Sequence, residues 1–226
     1  MLMITYWGHS CFEVFLKDSQ EKNIIFDPFD ESTGDFLLNT KAWLILCSHG
    51  HFDHNAWKRV ARSDSIHLVG FVGEKEVDNV KITGIQLYHD PAQGSLRGKN
   101  SGYIVELGGF SLLHLGDLGH TLDEKSLNKI GSKGRVNILF IPVGGVYTIN
   151  PEDAITVIQQ INPNIAIPMH YRTPRHNKGI FGGLSTLEDF IKLAERNYSI
   201  IRHGTNKIEI ALDMLPEKTE IHVLTI

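Results

Sequence analysis

The segment SHGHFDH, residues 48–54, places four potential metal ligands close together in the chain. His49 and His51 are two residues apart, so both imidazoles can face one ion from an extended turn. Asp53 and His54 follow at a point where the chain is expected to turn into a helix, and this placement indicates a second ion nearby. Imidazole and carboxylate groups suit Zn²⁺ and other first-row divalent ions. The alternative interpretation is a solvated His/Asp cluster that caps a helix.

Further metal ligands are expected from other parts of the chain. Asp117 follows Gly116, which permits close approach of the backbone, and a carboxylate can bridge two ions. His170 in IPMHY and His89 in LYHDP each follow a short apolar segment and are also interpreted as ligands. His114 lies inside its apolar segment between two leucines, so a role in the core or beside a ligand is favoured over direct metal binding.

Short apolar segments rich in β-branched and aromatic residues predict twelve strands. The predicted strands are Met3–Trp7, Phe12–Leu16, Asn23–Phe26, Ala42–Cys47, Ile66–Val69, Ile85–Tyr88, Tyr103–Leu107, Ser111–Leu115, Val136–Ile141, Ile165–Pro168, Ser199–Arg202 and Lys207–Ala211. Helices are predicted over about 53–62, from an Asn150 cap with Pro151 at the first helical position, and from a capping box formed by Ser185 and Glu188. This mixture predicts α/β layers, with sheets covered by helices.

Five of the predicted strands lead directly into polar or glycine-rich residues. NIIF leads into Asp27, WLILCS into His49, LLHLG into Asp117, ILFIPV into Gly144–Gly145 and IAIP into His170. Loops at the strand ends of a rigid sheet are where binding groups usually gather. We therefore expect these segments, which are distant in sequence, to converge on one pocket.

Composition predicts one compact domain over residues 1–226, with 42% hydrophobic residues and a net charge of −4. The acidic and basic residues are well mixed, which argues against a nucleic-acid partner, since phosphate contacts need clustered Lys and Arg. Two cysteines, Cys11 and Cys47, favour a reduced compartment over a disulfide framework. No leader peptide or membrane span is expected, so the sequence favours a cytoplasmic protein and leaves assembly into homo-oligomers open.

Eight motifs resemble metal-dependent hydrolases of the metallo-β-lactamase fold, in particular a small bacterial and archaeal branch that includes ascorbate-phosphate lactonase-like proteins. The motifs are GHSCF (8–12), IIFDPF (24–29), SHGHFDH (48–54), YHD (88–90), LRGKNSGY (96–103), HLGDLGH (114–120), PVGGVYTI (142–149) and IPMHY (167–171). They follow the family's order and cover most of the chain from about residue 3 to 175. The fold that the resemblance implies is the αββα four-layer sandwich, with two β-sheets between outer helices.

The resemblance also implies two metal sites that share one carboxylate. The implied ligands are His49, His51 and His89 for the first ion, Asp53, His54 and His170 for the second, and Asp117 as the bridge. Asp27 matches a strand-end aspartate that orients a ligand imidazole in the family. Zinc is the first choice for both ions, and manganese and iron also fit His/carboxylate sites.

The activity implied is hydrolysis of a small anionic ester, lactone or phosphodiester by a metal-bridging hydroxide, which Asp53 could also orient. His51 stands where redox di-iron relatives usually carry Glu, so hydrolysis is favoured over redox chemistry. Two alternatives stay open. One is a metal-dependent binding or sensing module without turnover, and the other is a phosphodiesterase for small nucleic acids. A water-occupied metal position that faces a cleft would distinguish an enzyme from a closed structural site.

Several residues near the motifs are candidates for contact with substrate. Tyr147, His9 and His120 are candidates for the pocket wall or for an oxyanion donor, against simple packing or surface placement. Arg97 and Arg172 belong to basic segments that would favour an anionic substrate, against a solvated basic loop.

The glycine-rich segment 177–185 is a candidate lid over the pocket. Ile180 and Phe181 are expected to be exposed between its glycines. An ordinary surface loop is the alternative for this segment.

Overall fold

The computed structural model describes residues 1–226 and contains fourteen strands and five α-helices. The strands are β1 Leu2–Gly8, β2 Cys11–Leu16, β3 Ile24–Phe26, β4 Ala42–Cys47, β5 Ala61–Val69, β6 Gly73–Val77, β7 Val80–Tyr88, β8 Lys99–Leu107, β9 Phe110–His114, β10 Ile138–Pro142, β11 Ile165–Met169, β12 Ser199–Arg202, β13 Lys207–Ile210 and β14 Glu220–Val223. The helices are α1 Trp57–Val60, α2 Glu124–Gly131, α3 Pro151–Ile161, α4 Lys178–Phe181 and α5 Leu187–Ala194. None of these helices combines the length and the apolar character needed to cross a membrane.

The strands form two sheets with the main hydrophobic core between them. One sheet has six strands in the order β13-β1-β2-β3-β4-β5, and the other has eight in the order β12-β14-β11-β10-β9-β8-β7-β6. Strand β4 is buried along its whole length: Leu44 and Leu46 join the main core, while Ile45 and Cys47 join a smaller cluster on the opposite face. Burial on both faces explains why this strand is continuously apolar.

Helices α3 and α5 pack against each other and contribute apolar side chains to the main cluster, and α1 packs on β4 and β5. The predicted αββα four-layer sandwich is confirmed. The Asn150 cap of α3 is also as predicted, since the Asn150 side chain accepts a hydrogen bond from the backbone N–H of Asp153 and Pro151 is the first helical residue.

Parallel pairing brings the predicted strand ends to the same edges of the sheets. Strand β3 runs parallel to β4, and β9, β10 and β11 run parallel to one another. The residues that follow β3, β4, β9 and β11 therefore leave their sheets in the same direction as their neighbours. This arrangement positions the loops that carry most of the candidate ligands.

The helix predicted over about 53–62 is wrong in its extent. Only Trp57–Val60 is helical, and Ala61 already begins β5 by pairing with Ala42 of β4. The following residues, Ser63 to Ser65, supply no apolar stripe that could hold a longer helix on the sheet.

The capping box of α5 lies one residue later than predicted. Thr186 and Asp189 form the reciprocal hydrogen bonds, instead of Ser185 and Glu188. The bonds need a side-chain oxygen at the residue just before the first helical turn, and this residue is Thr186.

The sequence did not indicate β6, β14, α2 or α4, and β7 begins at Val80 instead of Ile85. Strand β6 is largely charged and exposed, so it lacks an apolar pattern. Its hairpin with β7 turns at Asp78 and Asn79, which both have positive φ, as two-residue hairpin turns require.

Candidate metal centre

Three of the predicted ligands form one group on the solvent side of the site. His49, His51 and His89 each offer a ring nitrogen, and these nitrogens all lie within 4.8 Å of one another. His49 Nε2 is 3.0 Å from His51 Nδ1. His49 and His89 are buried, whereas His51 is exposed, so the group can be reached from solvent on the His51 side.

Asp117 lies at the centre of the remaining ligands. Its Oδ2 is 3.0 Å from His89 Nε2 and 3.4 Å from His170 Nε2, and its Oδ1 is 3.1 Å from His54 Nε2. His54 Nε2 is in turn 3.6 Å from Asp53 Oδ2. The carboxylate of Asp117 thus connects the group around His49 to the group around Asp53.

Several of these buried atoms have no hydrogen-bond partner in the protein. They are His54 Nε2, His89 Nδ1, Asp117 Oδ1 and both ring nitrogens of His170. A buried polar atom without a partner costs about 1–3 kcal/mol, so such atoms are normally satisfied. Here the unsatisfied atoms converge, because His54 Nε2 and Asp117 Oδ1 lie 3.1 Å apart without hydrogen-bond geometry. Converging imidazole nitrogens and carboxylate oxygens are the donor set of a divalent metal site, and the residues fit that group.

Asp27 and Ser48 fix the orientation of two of the imidazoles. Asp27 accepts hydrogen bonds from the backbone N–H and the hydroxyl of Ser48, at 2.6 and 2.7 Å, and from His54 Nδ1 at 2.7 Å. Because the Ser48 hydroxyl donates to Asp27, its oxygen accepts from His49 Nδ1 at 2.9 Å. In its neutral form each imidazole therefore carries its proton on Nδ1 and turns an unprotonated Nε2 toward the centre.

Substitution Ser48→Ala is expected to lower metal affinity by about 10–100-fold, the usual loss when a residue that orients a ligand is removed. The His49 tautomer loses its acceptor, while Asp27 keeps its bond to His54. Metal titration monitored by calorimetry measures the change. Ser111→Ala is the control, because Ser111 is also buried and its hydroxyl makes no hydrogen bond.

The turn after β9 holds Asp117 in place. The backbone N–H of Asp117 donates to Asn100 Oδ1 at 3.1 Å, and Asn100 Nδ2 donates to the carbonyl of Leu115 at 2.8 Å. Gly116 has φ +54°, and a Cβ there would collide with Asn100 and Ser48. Glycine is required at this position for both reasons.

His114 and His120 both use their ring nitrogens away from the His/Asp cluster. His114 Nε2 donates to the carbonyl of Ser10 at 2.9 Å, and His114 Nδ1 accepts from the Gly116 N–H at 3.1 Å. His120 accepts from the Tyr88 N–H and donates to the Thr121 carbonyl. His114 is therefore a buried support below the cluster, and His120 lines a separate cavity around Asp123 and Ser126.

His9 comes closer to the cluster than the sequence indicated. It is fully buried in the turn between β1 and β2, and His9 Nε2 lies 3.2 Å from Asp53 Oδ2. By distance alone it belongs to a potential ligand group with Asp53, His54 and His170. His9, Asp27 and His170 all have positive φ, between 43° and 54°, a strained conformation that is often found at functional sites.

The charges of the cluster favour a cation. Burial lowers the pKa of His54, but the charges of Asp117, Asp53 and Asp27 outweigh this effect and hold the pKa well above its usual value. Burial raises the pKa of Asp117, but His170 and His54 outweigh it and hold the pKa well below its usual range. Ionised carboxylates in a buried site need a positive partner, which a metal ion can supply.

A cavity of about 350 Å³ opens beside the cluster. Its walls include His51, Asp117, Arg97, Tyr147, Ile180 and Phe181. The Arg97 guanidinium lies 5.8 Å from the centre of the Tyr147 ring, and the Tyr147 hydroxyl donates to the carbonyl of Ile180. Arg97 and Tyr147, which were both predicted as candidates for substrate contact, thus face the cavity.

Arg172 lies in a neighbouring cavity of about 450 Å³ that shares Phe181 with the first. One of its guanidinium nitrogens donates to the carbonyl of Gly182. The expectation that Phe181 is exposed is wrong, because its ring packs near His9 and is only 1% exposed, whereas Ile180 is 36% exposed. Part of the candidate lid is the short helix α4, Lys178–Phe181, which places both side chains in the cavity wall.

Sequence reasoning missed Asp90, which shapes the loop that carries Arg97. The Asp90 carboxylate accepts hydrogen bonds from four backbone N–H groups, those of Ala92, Gly94, Leu96 and Arg97, at 2.7–3.1 Å. Asp followed within a few residues by Gly is a turn signal that could have indicated this loop. The roles of Ser48 and Asn100 carry no such local signal.

The Beta-lactamase superfamily domain matches residues 3–170 of the chain. A metal-dependent hydrolase of the UPF0173 group from Thermococcus onnurineus is 30% identical over 200 residues, which cover 76% of this chain and 86% of the relative. The chain belongs to the metallo-β-lactamase superfamily. A second UPF0173 metal-dependent hydrolase, from Staphylothermus marinus, is 32% identical over 198 residues, covering 76% of this chain and 85% of the relative.

A solved structure extends the similarity to almost the whole chain. It is a candidate Zn-dependent hydrolase of the metallo-β-lactamase superfamily from Thermotoga maritima, with 32% identity and a TM-score of 0.77. The match covers 99% of this chain and 98% of that protein. The metallo-β-lactamase fold implied by the sequence motifs is thereby confirmed.

Proposed function

We propose that this metallo-β-lactamase-fold protein is a dinuclear metal-dependent hydrolase that acts on a small anionic ester, lactone or phosphodiester. The observation that carries the proposal is the convergence of buried, unsatisfied ligand atoms on the Asp117 carboxylate. The names of the relatives, which are metal-dependent hydrolases, support the reaction class.

The two ions would be held by two ligand groups that meet at Asp117. The first group is His49, His51 and His89, and the second is Asp53, His54 and His170. Bound there, divalent ions would lower the pKa of a water toward neutrality and polarise the carbonyl or phosphoryl oxygen of the substrate. Asp53 lies in the cavity wall, so its carboxylate is placed to orient the attacking water.

The donor set is compatible with zinc and with other first-row divalent ions. It consists of imidazole nitrogens and carboxylate oxygens, which Zn²⁺, Mn²⁺ and Fe²⁺ all accept. Cys11 and Cys47 are buried in the apolar cluster on the outer face of the six-stranded sheet and are not part of the site. The name of the Thermotoga maritima neighbour specifies zinc, which favours that ion for this chain.

The cavity supports a small substrate with a negative charge. Its volume of about 350 Å³ is in the range of small-molecule sites. Arg97 is presented at its wall by a loop that Asp90 holds through four hydrogen bonds. A guanidinium held in this way can pair with a carboxylate or a phosphate of the substrate.

A substrate screen tests the proposal directly. Protein reconstituted with Zn²⁺ or Mn²⁺ is assayed with lactones and thioesters, each in an anionic and a neutral form, and with aryl phosphodiesters, which are anionic at neutral pH. Turnover that needs the metal and prefers the anionic form is expected. Binding of these compounds without any turnover would instead indicate a sensing module.

Arg97→Ala is expected to raise KM for the anionic substrate about 10-fold with little change in kcat. A hydrogen bond to a charged group contributes about 1.5–3 kcal/mol, and the lower end of this range applies because Arg97 is solvent-exposed. KM for the neutral analogue should stay the same. Steady-state kinetics at two salt concentrations measure the difference, which salt should reduce. Arg196→Ala, beyond the end of α5, is the matched control.

A further inference from the structure

His9 has two conflicting roles open to it in the candidate metal centre. Its distance to Asp53, His54 and His170 would allow it to bind an ion as a fourth ligand. Its 3.2 Å contact with Asp53 Oδ2 would equally allow it to donate a hydrogen bond to that carboxylate. The two roles are exclusive, because a ligand nitrogen must be free of a proton and a donor nitrogen must carry one.

The hydrogen bonds around His176 decide between these roles. The backbone N–H of Thr173, which can only donate, points at His176 Nδ1 at 3.1 Å. His176 Nδ1 therefore carries no proton, and in the neutral ring the proton is on Nε2. His176 Nε2 lies 3.0 Å from His9 Nδ1 and donates to it. His9 Nδ1 is then the acceptor, so the proton of His9 is on Nε2 and points at Asp53 Oδ2.

We propose that His176 is a positioning residue that holds His9 in the tautomer that donates to Asp53, so that His9 orients this carboxylate and does not bind a metal ion. The proposal deepens the proposed function, on which it rests for the role of Asp53 as a ligand. One Asp53 oxygen is engaged by His9, and this contact limits the orientations in which the carboxylate can bind an ion.

The surroundings restrict the movement of both rings in this hydrogen-bond line. His9 and His176 are both buried, and Phe181 and Phe36 pack against their rings. The His9 carbonyl accepts from the Tyr6 hydroxyl at 2.9 Å and from the backbone N–H of His170 at 2.8 Å. Because both imidazoles are buried, their protein partners determine which ring nitrogen carries the proton.

The loop that follows β11 therefore has a function beyond carrying His170. It returns over the β1–β2 turn and delivers both the Thr173 N–H and the His176 ring. The sequence expectation for this loop was a basic segment that attracts substrate. The structure adds a second task, since the loop carries the two residues that set the direction of the hydrogen bonds.

The test uses the full chain labelled with ¹⁵N-histidine, before and after addition of Zn²⁺. Long-range ¹H–¹⁵N NMR spectra distinguish protonated from unprotonated ring nitrogens. In the wild-type protein His9 is expected to carry its proton on Nε2 in both states. An unprotonated His9 Nε2 whose signal shifts on Zn²⁺ addition would overturn the proposal, because it would make His9 a ligand.

Three substitutions of His176 separate positioning from packing. His176→Gln keeps an N–H donor toward His9, His176→Glu places an acceptor there, and His176→Phe removes both. The Glu variant is expected to move the His9 proton to Nδ1. The Glu and Phe variants are expected to lower kcat by about 10–100-fold with a smaller effect on KM, and Gln to recover most of the activity that Phe loses.

A control and a readout without turnover keep the test independent of the hydrolase proposal. His203 and His222 form another His–His contact, at 3.1 Å, and neither belongs to a ligand group of the cluster, so His203→Gln should leave metal content and kcat unchanged. The His9 tautomer is observed whether or not a substrate is known. If His176→Glu leaves the His9 proton on Nε2, His176 does not position His9, even when hydrolysis is established. If no hydrolysis is found, the His9 tautomer still tests the role of His176.

Discussion

Replacing Asp117 by asparagine is expected to lower kcat/KM by about 10²–10³-fold, the loss seen when one preorganised electrostatic group is removed from an active site. The Asp117 carboxylate lies within 3.4 Å of His54, His89 and His170. An amide has one oxygen and no charge, so it cannot serve both ligand groups at once. The number of ions bound per chain should also fall, which mass spectrometry of the metal content measures alongside steady-state kinetics.

The same reasoning applies to Asp53→Ala and His54→Ala, which should abolish turnover while the fold stays intact. Asp213→Asn, at an exposed site in the short 3₁₀ helix Leu212–Met214, is the control for the loss of one carboxylate. Circular dichroism and urea unfolding check the fold of each variant. Unchanged activity in Asp53→Ala or His54→Ala would refute the two-metal interpretation, since both residues belong to the second ligand group.

The fold was predictable because the apolar segments coincide with real strands. β4 and β11 are buried throughout, and their short, continuously apolar segments favour strands in the interior of a sheet. His49 follows β4 in the six-stranded sheet and His170 follows β11 in the eight-stranded sheet. Parallel pairing brings each of them to an edge of its own sheet, and the packing of the two sheets brings these edges together. Strands without an apolar pattern, such as β6, could not be predicted in this way.

His114 and His170 show how position within a strand separates two similar histidines. Both follow an apolar segment, but His114 is the last residue inside β9 and pairs with Phe140 of β10. Its ring stacks on Phe26 at a centroid distance of 5.0 Å, which places it in the core. His170 comes one residue after β11, where the chain turns with positive φ and the side chain leaves the sheet.

The residues that sequence reasoning missed act through contacts between distant segments. Ser48 meets Asp27 because β3 and β4 are in register with Phe26 opposite Leu46, and no local pattern encodes that register. The line from His176 through His9 to Asp53 joins three loops that are far apart in the chain. His89 was predicted by a weaker argument, its place at the end of the strand Ile85–Tyr88 just before a turn at Pro91, and the family resemblance strengthened this prediction.

Removing the metal is expected to abolish activity and to lower the free energy of unfolding, by about 2.7 kcal/mol relative to protein with free metal at 100 times its Kd. The size of this loss should depend on pH. In the metal-free site the pKa of His54 is raised by Asp117, Asp53 and Asp27 against the effect of burial, so a proton occupies the imidazole that the metal needs. Metal and proton compete for His54 Nε2, and metal affinity should rise with pH.

The sign follows from the direction of the His54 pKa. Because the folded-state pKa is raised, the imidazolium stabilises the metal-free protein fully at pH values below the unfolded-state pKa of about 6.5. This stabilisation is lost as the pH rises through the folded-state pKa. The pKa values of Asp117 and Asp27 are lowered, so these carboxylates stay ionised throughout that window. The stability difference between metal-loaded and chelated protein should therefore be larger at about pH 8 than at about pH 6.

Urea unfolding of the zinc-loaded and chelated protein at both pH values measures this difference, and metal analysis gives the number of ions. About two ions per chain are expected, in line with the two ligand groups that meet at Asp117. A reproducible value of one ion would remove the shared role of Asp117. A stability difference that is independent of pH would show that no proton leaves His54 when the metal binds. The negative charges of the three carboxylates around this imidazole would then be neutralised by a group other than the His54 imidazolium.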